Sequence, residues 1–489
     1  MQSHKNEISS SSLTNHDLVP TTAEQRTWKT ANFVSMWVGA LNNIPTYVTI
    51  GGLVVLGFSP LQVIGIVLVA SLILYAALTL NGHTGSKFGI PFPVIARTSY
   101  GIRGANIPAL LRGFVAIMWL GIQTFAGSTA LRIAISSMWP GWDSFGGGSK
   151  ILGIDLPGLL SFLIFWSLHL LVLKSGMESL KKFQKWTGPI VGIVIIAMLI
   201  WALKTAGGMS AIYSLPSKYD TFGKAFFPFL AAVTGVIGYW ATLILNVPDF
   251  TRFARSQKDQ IKGQLIGLPV IFTVFTFATV TIVGATAVAY HTPLSDPVET
   301  LRHFNSPFLI AISAFLLSSA TVTVNVIANM VSPAYDLANL FPKYIDFKRG
   351  FYITAFLALF TFPWELMKNA DSIFTMLNMI GGFLGPVAGV MIAHYFNIKK
   401  REINMKDLYT YRGEYMYYKG YNYRAFLATV VGAVLALIGQ FVPAMKNVYE
   451  VSWFVGVITA YILYIVLMRV HPPATVTMPA HVEEERTHA

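Results

Sequence analysis

Along the chain, apolar runs of roughly 18 to 30 residues, the length a helix needs to span the hydrocarbon core, recur about twelve times. They fall near 31–56, 60–81, 105–136, 157–174, 188–206, 225–247, 264–290, 307–339, 350–367, 371–396, 424–445 and 450–468. The runs carry few charges, and the polar residues between them form short connectors. This pattern predicts an all-α integral membrane protein with twelve spans. Residues 1–30 are polar and lack the short apolar core of a signal peptide, so they read as a soluble tail.

Composition sharpens the reading. Of the 489 residues, 54% are hydrophobic and 12% charged, half the charged share of an ordinary soluble domain. With no Cys, disulfides, thiolate metal sites and cysteine nucleophiles are excluded. The net charge of +13 invites a nucleic-acid reading until its placement is examined. With the N-terminus inside, the inner segments hold 26 Lys and Arg and the outer loops 7, while Arg112 and Arg132 lie within span 3. That bias predicts both termini in the cytoplasm and accounts for the basic pI without nucleic acid. Two inner segments, KSGMESLKKFQKW and KKREINMKDLYTYRGEYMYYKGYNYR, mix basic and aromatic residues in the manner of interfacial anchors.

Span 1 weakens its own middle. The stretch VGALNNIPTYVTIGG places Gly39, Asn42, Asn43 and Pro45 inside an apolar run. Gly and Pro alone mark either a kink or an unwound segment. The two carboxamides add donors and acceptors where backbone groups are also released, which favours an unwound, ligand-lined segment. Span 6 offers a counterpart in TGVIGYWATLILN, with Gly235, Gly238 and Trp240. Glycine-interrupted helices five spans apart point to an inverted-repeat transporter with its site at the midplane.

Trp119 and Gln123 in span 3, and Asn325 and Asn329 in span 8, stand at i and i+4, so each pair shares a helix face. Such amides serve either as glue between helices or as ligand contacts. No Asp, Glu, Lys or Arg falls near the middle of spans 1, 6 or 8, so the expected ligand is neutral. Indole faces suit a planar ring, and amides match amide or urea edges. A small nitrogen-rich heterocycle is inferred: a nucleobase, hydantoin or ureide. In span 10, Gly381, Gly385 and Gly389 form one row suited to close packing or gating, and His169 in span 4 is either a hydrogen-bonded structural residue or a proton relay. There is no GxxxxGK[ST] loop, since Gly223 and Lys224 are followed by Ala225, and no HExxH or GxSxG motif, so neither an ATP-driven pump nor an intramembrane enzyme has its parts.

Together LNNIPTY, MWLGIQTF, LNVPDFTRFA, NVIANMVSPAYD, GPVAG and DLY…YYKGYNYRAF resemble the nucleobase-cation-symport-1 family, most closely its bacterial allantoin permeases, over nearly the whole chain. The resemblance implies a leucine-transporter-type fold: a first repeat over 31–206, a second, inverted repeat over 225–396, a cytoplasmic loop 397–423, two more spans over 424–468 and a C-terminal tail 469–489. It implies a cation-coupled importer of allantoin, or of a related hydantoin, purine or pyrimidine, in a bacterial cytoplasmic membrane, with no cofactor and no nucleic-acid partner. A non-transporting receptor or enzyme is the remote alternative. By motif match Trp119 and Trp240 sandwich the ring, and Asn43, Gln123 and Asn329 hold its polar edge; Gly238 and Asn325 join the expected substrate set. The implied Na⁺ positions are Gly39, Asn42, Ala320 and Thr323. The second hydroxyl of that site is replaced by Val324, which has no oxygen to offer a hard cation. Coupling to H⁺ is therefore favoured over Na⁺, although no mid-membrane carboxylate stands out to carry the proton.

Overall fold

The computed structural model describes residues 12–174, 192–304, 306–367 and 370–471. Each apolar run contains a helix. The labels are α1 (Thr30–Leu41), α2 (Ile44–Val55), α3 (Pro60–Phe88), α4 (Phe92–Tyr100), α5 (Asn106–Met138), α6 (Leu156–Lys174), α7 (Gly192–Thr205), α8 (Phe222–Asn246), α9 (Gln257–Tyr290), α10 (Pro307–Asn329), α11 (Val331–Leu340), α12 (Phe347–Ala358), α13 (Ala370–Ala393), α14 (Tyr423–Leu437) and α15 (Ser452–Val470). Among the described residues, eight helices are long and apolar enough to cross a membrane, and the bent pair α1 and α2 makes a ninth span. The shorter α6, α7 and α12 occupy the other three expected positions. Most of the basic segment after Lys174 lies outside the described residues.

Two spans are broken, each just before a proline. α1 and α2 meet at 65°. The Asn42 N–H closes α1 on the Gly39 carbonyl, Asn43 caps α2 by accepting from Thr46 N at 3.0 Å, and Pro45 sits in the first turn of α2, where its missing N–H would be unpaired anyway. α10 gives way to α11 at Met330, three residues before Pro333. A helical Pro removes the hydrogen bond to the carbonyl four residues back and crowds it, and that carbonyl belongs to Asn329.

The expected break in span 6 is absent: α8 runs without interruption from Phe222 to Asn246. Its glycines serve packing instead. A Cβ at Gly238 would lie 2.2 Å from the Leu377 carbonyl oxygen, and one at Gly235 2.5 Å from the Phe374 ring, so α8 and α13 touch nearly backbone to backbone. The row in span 10 does the same against α15, where a Cβ on Gly389 would meet the Val457 carbonyl at 2.5 Å.

The helices sort into two packed groups. α1 lies on α9, with Phe33 and Trp37 filling the space that Gly263 and Gly267 leave, and α8 packs on α3. Against them stand α5, α6 and α10, with α5 and α10 in contact along much of their length. At the end where α5 begins and α8 and α11 finish, buried Tyr409, Tyr415 and Tyr417 pack the 397–423 loop beside α4. There the Tyr417 hydroxyl donates to the Thr98 carbonyl and that of Tyr409 to the Leu18 carbonyl.

Candidate substrate site

Where α2, α5 and α8 meet, the break in span 1 places Asn43, 2% exposed, against Tyr239 and Thr46. The Asn43 amide donates to the Ala40 carbonyl at 2.6 Å and to Thr46 Oγ1 at 2.8 Å, and its oxygen accepts from the Tyr239 hydroxyl at 2.9 Å. Across this group, α5 presents Trp119 and Gln123 from one face. The Tyr239 ring stands 4.6 Å from Trp119 and 4.9 Å from Trp240, at 61° to each, and Gln123 also bears on its hydroxyl. Trp240 continues to Trp37 at 5.6 Å and Phe272 at 6.1 Å. Trp119, Gln123, Trp240 and Asn43 are thus brought together, with Tyr239 between the two indoles, a residue that sequence reasoning passed over as an apolar position beside a glycine.

Trp119 Nε1, Trp240 Nε1 and Gln123 Oε1 are buried and have no hydrogen-bond partner among the described residues. Buried polar groups are nearly always paired, and leaving one unpaired costs about 1–3 kcal/mol. Two donors and one acceptor thus stand together beside two indoles and a phenol.

Span 8 contributes differently from expectation. Asn325 donates to the Leu120 carbonyl at 3.0 Å, to Thr124 Oγ1 at 3.2 Å and toward His169 Nε2 at 3.1 Å, and its oxygen accepts from Asn329 at 2.9 Å. Its carboxamide is committed to protein partners. Through its oxygen it orients Asn329. The contact with the Leu120 carbonyl settles the orientation, because only an amide N–H can face a carbonyl oxygen. Asn329 must then donate through its nitrogen to the Asn325 oxygen, which leaves its own oxygen as the available group. His169 completes the chain through Nδ1 and the Phe165 carbonyl at 3.0 Å, a structural arrangement. Gly238 faces Leu377 on α13 and not the cluster, so its place in the substrate set is corrected to packing.

Of the implied sodium positions, Gly39 borders an apolar space. Beside Gly39 is a cavity of about 20 Å³ lined by Met36, Trp37, Gly39, Ala40, Leu243, Phe250, Val324 and Ala328, with no oxygen-bearing side chain among them. The Gly39 carbonyl accepts from Asn42 N at 3.2 Å, and the Asn42 oxygen from the Tyr47 hydroxyl at 3.4 Å. Ala320 supplies no side-chain ligand, and the side chain of Thr323 lies outside the described residues.

Carboxylates overlooked in the sequence lie nearer the α5 start. Arg112 and Asp336 are 0% and 2% exposed, with Nη1 and Oδ2 3.6 Å apart. Arg112 also donates to the Ala328 carbonyl beside the break in span 8, at 3.2 Å. Neither Asp336 oxygen has a hydrogen-bond partner among the described residues. Asp249, also buried, accepts from Phe92 N at 2.8 Å and Ser332 Oγ at 2.6 Å, so it joins the α3–α4 turn and the end of α8 to α11. The signal was the Asp of SPAYD two turns after Asn329, hidden because Asp336 and Arg112 are far apart in sequence and near the span ends.

The fold defines a class: a leucine-transporter-type secondary transporter. The chain belongs to the nucleobase-cation-symport-1 family of cation-coupled permeases, and so is a multi-pass membrane transporter and not an enzyme. Residues 20–456 match the family model described as permease for cytosine/purines, uracil, thiamine, allantoin. The allantoin permease of Bacillus subtilis is 58% identical over 98% of both chains. The purine-uracil permease of Arabidopsis thaliana is 38% identical over 94% of this chain and 78% of its own length. A solved transporter of the family, in a closed conformation with bromovinylhydantoin bound, superposes with a TM-score of 0.75 at 25% identity, covering 94% of this chain and 96% of that one.

Proposed function

We propose that this chain imports allantoin across a bacterial cytoplasmic membrane by proton-coupled alternating access, with both termini and the 397–423 loop in the cytoplasm. The observation that carries the substrate reading is the set of unpaired, buried Trp119 Nε1, Trp240 Nε1 and Gln123 Oε1, donors and acceptor that a ureide ring complements. The 58% identical relative bears the name allantoin permease, which supports this ring over a nucleobase or simple hydantoin. Asn43, Gln123 and the Asn329 oxygen bind the polar edge. Indole faces exclude water and hold the ring by stacking.

Proton coupling is supported by the apolar lining beside Gly39 and by the buried Asp336. Two carboxylates, Asp249 and Asp336, share the surroundings of Arg112, and Asp336 accepts no hydrogen bond from the described residues. Protonation of Asp336 loosens its pairing with Arg112. It thereby frees α11 from α5 when the helix group of α1, α2, α3, α8 and α9 rocks against α5 and α10.

The test is initial-rate uptake of labelled allantoin by cells expressing the chain, with excess unlabelled hydantoin, uracil or purines as competitors. Saturable uptake that only allantoin blocks, unchanged when choline replaces Na⁺ and abolished by a protonophore, is expected. Uptake that requires Na⁺ would overturn the coupling reading, and uptake blocked better by uracil the substrate reading.

A further inference from the structure

The place between the two indoles is held by one of the protein's own side chains, and its hydroxyl sits on the groups assigned to the substrate. Asn43 Nδ2 donates to Thr46 Oγ1 at 2.8 Å, Thr46 Oγ1 to the Tyr239 hydroxyl at 3.0 Å, and that hydroxyl to Asn43 Oδ1 at 2.9 Å. The three bonds close a head-to-tail ring. Within it the phenol gives one donor, toward Asn43, and one acceptor, toward Thr46. The ring plane lies edge-on to both indoles and is 6% exposed.

We infer that Tyr239 is an internal competitor for the substrate seat: it satisfies Asn43 and Thr46 in the empty carrier and is displaced when the substrate binds. A ligand that replaces it must restore a donor facing Asn43 Oδ1 next to an acceptor facing Thr46 Oγ1. On a planar nitrogen heterocycle the neutral group that does so is an N–H beside a carbonyl on one ring edge, the cis-lactam edge. A ligand without that N–H leaves the Asn43 oxygen with the Thr46 N–H alone, one donor fewer than in the empty carrier, and is disfavoured. Tyr239 therefore sets a threshold that favours lactam-bearing rings, and it keeps both donors on the buried amide oxygen during the return of the empty carrier. Without such a group that oxygen would lose one of its two donors on each cycle.

This inference rests on the reading of the cluster as a substrate site, and two measurements separate their failures. In the first, Tyr239→Phe keeps the ring and removes the hydroxyl, so the substrate no longer displaces a hydrogen bond. With a net bond worth about 1 kcal/mol, KM for allantoin falls by roughly fivefold. An unchanged or raised KM overturns the inference, because the hydroxyl would then be idle or a direct ligand contact. The second needs no substrate. Thr49 and Tyr239 line the same small cavity, and the chain has no Cys, so Thr49→Cys reports access by a small thiol reagent. Protection of that thiol with Tyr239 in place, lost in the Thr49→Cys, Tyr239→Ala variant, supports the inference, and equal reactivity in both overturns it. If the unmodified chain transports no lactam ring, the functional reading fails while the thiol measurement still decides the role of Tyr239.

Discussion

The buried pair between α5 and α11 permits a prediction with its magnitude worked from the structure. Arg112 and Asp336 are almost wholly removed from solvent, 3.6 Å apart, and Asp249 also acts on Arg112. Replacing Arg112 by Met leaves two carboxylates in one buried region without their shared cation. Removing one partner of a buried pair in this way costs about 3–5 kcal/mol. Replacing Asp336 by Asn is milder, because Arg112 keeps both Asp249 and the Ala328 carbonyl. The double variant Arg112→Met, Asp336→Asn should recover much of the loss, since replacing both members of a buried pair is often near neutral. Thermal unfolding in detergent reads these differences. The transport arm uses proteoliposomes: Asp336→Asn should exchange labelled for unlabelled allantoin yet fail to accumulate it when the outside is made acidic. Accumulation at the unmodified level in Asp336→Asn would refute the assignment of the proton to this carboxylate. Equal stability of the Arg112→Met and double variants would refute the charge argument.

Four further outcomes follow from single contacts. Gln123→Ala removes an unpaired acceptor and its amide, so KM for allantoin should rise by roughly tenfold, or about 1.4 kcal/mol, with the protein level in membranes unchanged on immunoblots. Asn43→Ala removes the cap of α2 together with its bonds to Ala40 and Tyr239; it should cost about 1–2 kcal/mol of stability as well as uptake, a combination that Gln123→Ala does not show. Gly238→Ala drives a Cβ into the Leu377 carbonyl at 2.2 Å and should lower folded yield as overpacking does, by about 1–3 kcal/mol, measured by size-exclusion fluorescence. Outside the spans, burial pushes Asp296 up to about 6 while it caps the short helix Pro297–Leu301. The folded state therefore holds its proton more tightly than the unfolded chain does, and stability falls as pH rises from the ordinary Asp range toward about 6. The melting temperature should show that downward step, which Asp296→Asn removes.

How far the sequence reached depended on whether the relevant physics was local. Apolar run length marks where the helices lie because each helix must satisfy its own backbone in lipid. The break at Asn42–Asn43 was legible because cap, proline and glycine lie within seven residues. The i, i+4 pairs were legible too, because helical spacing alone puts Trp119 with Gln123 and Asn325 with Asn329 on shared faces. What each face meets was not. Gly238 reads as an interruption until α13 is seen pressed against it, and Asn325 reads as a ligand contact until its partners on α5 and α6 appear. Tyr239 carries no sequence signal, since a Tyr beside a Trp is ordinary packing until a broken helix 196 residues away in sequence turns Asn43 toward it. Arg112 and Asp336 likewise pair across two helices. Hydrogen bonds and ion pairs depend on distances of a few ångströms between atoms that the chain connects only through hundreds of bonds, so only the packed helices decide which amide binds, which one braces, and which carboxylate stands beside a buried charge.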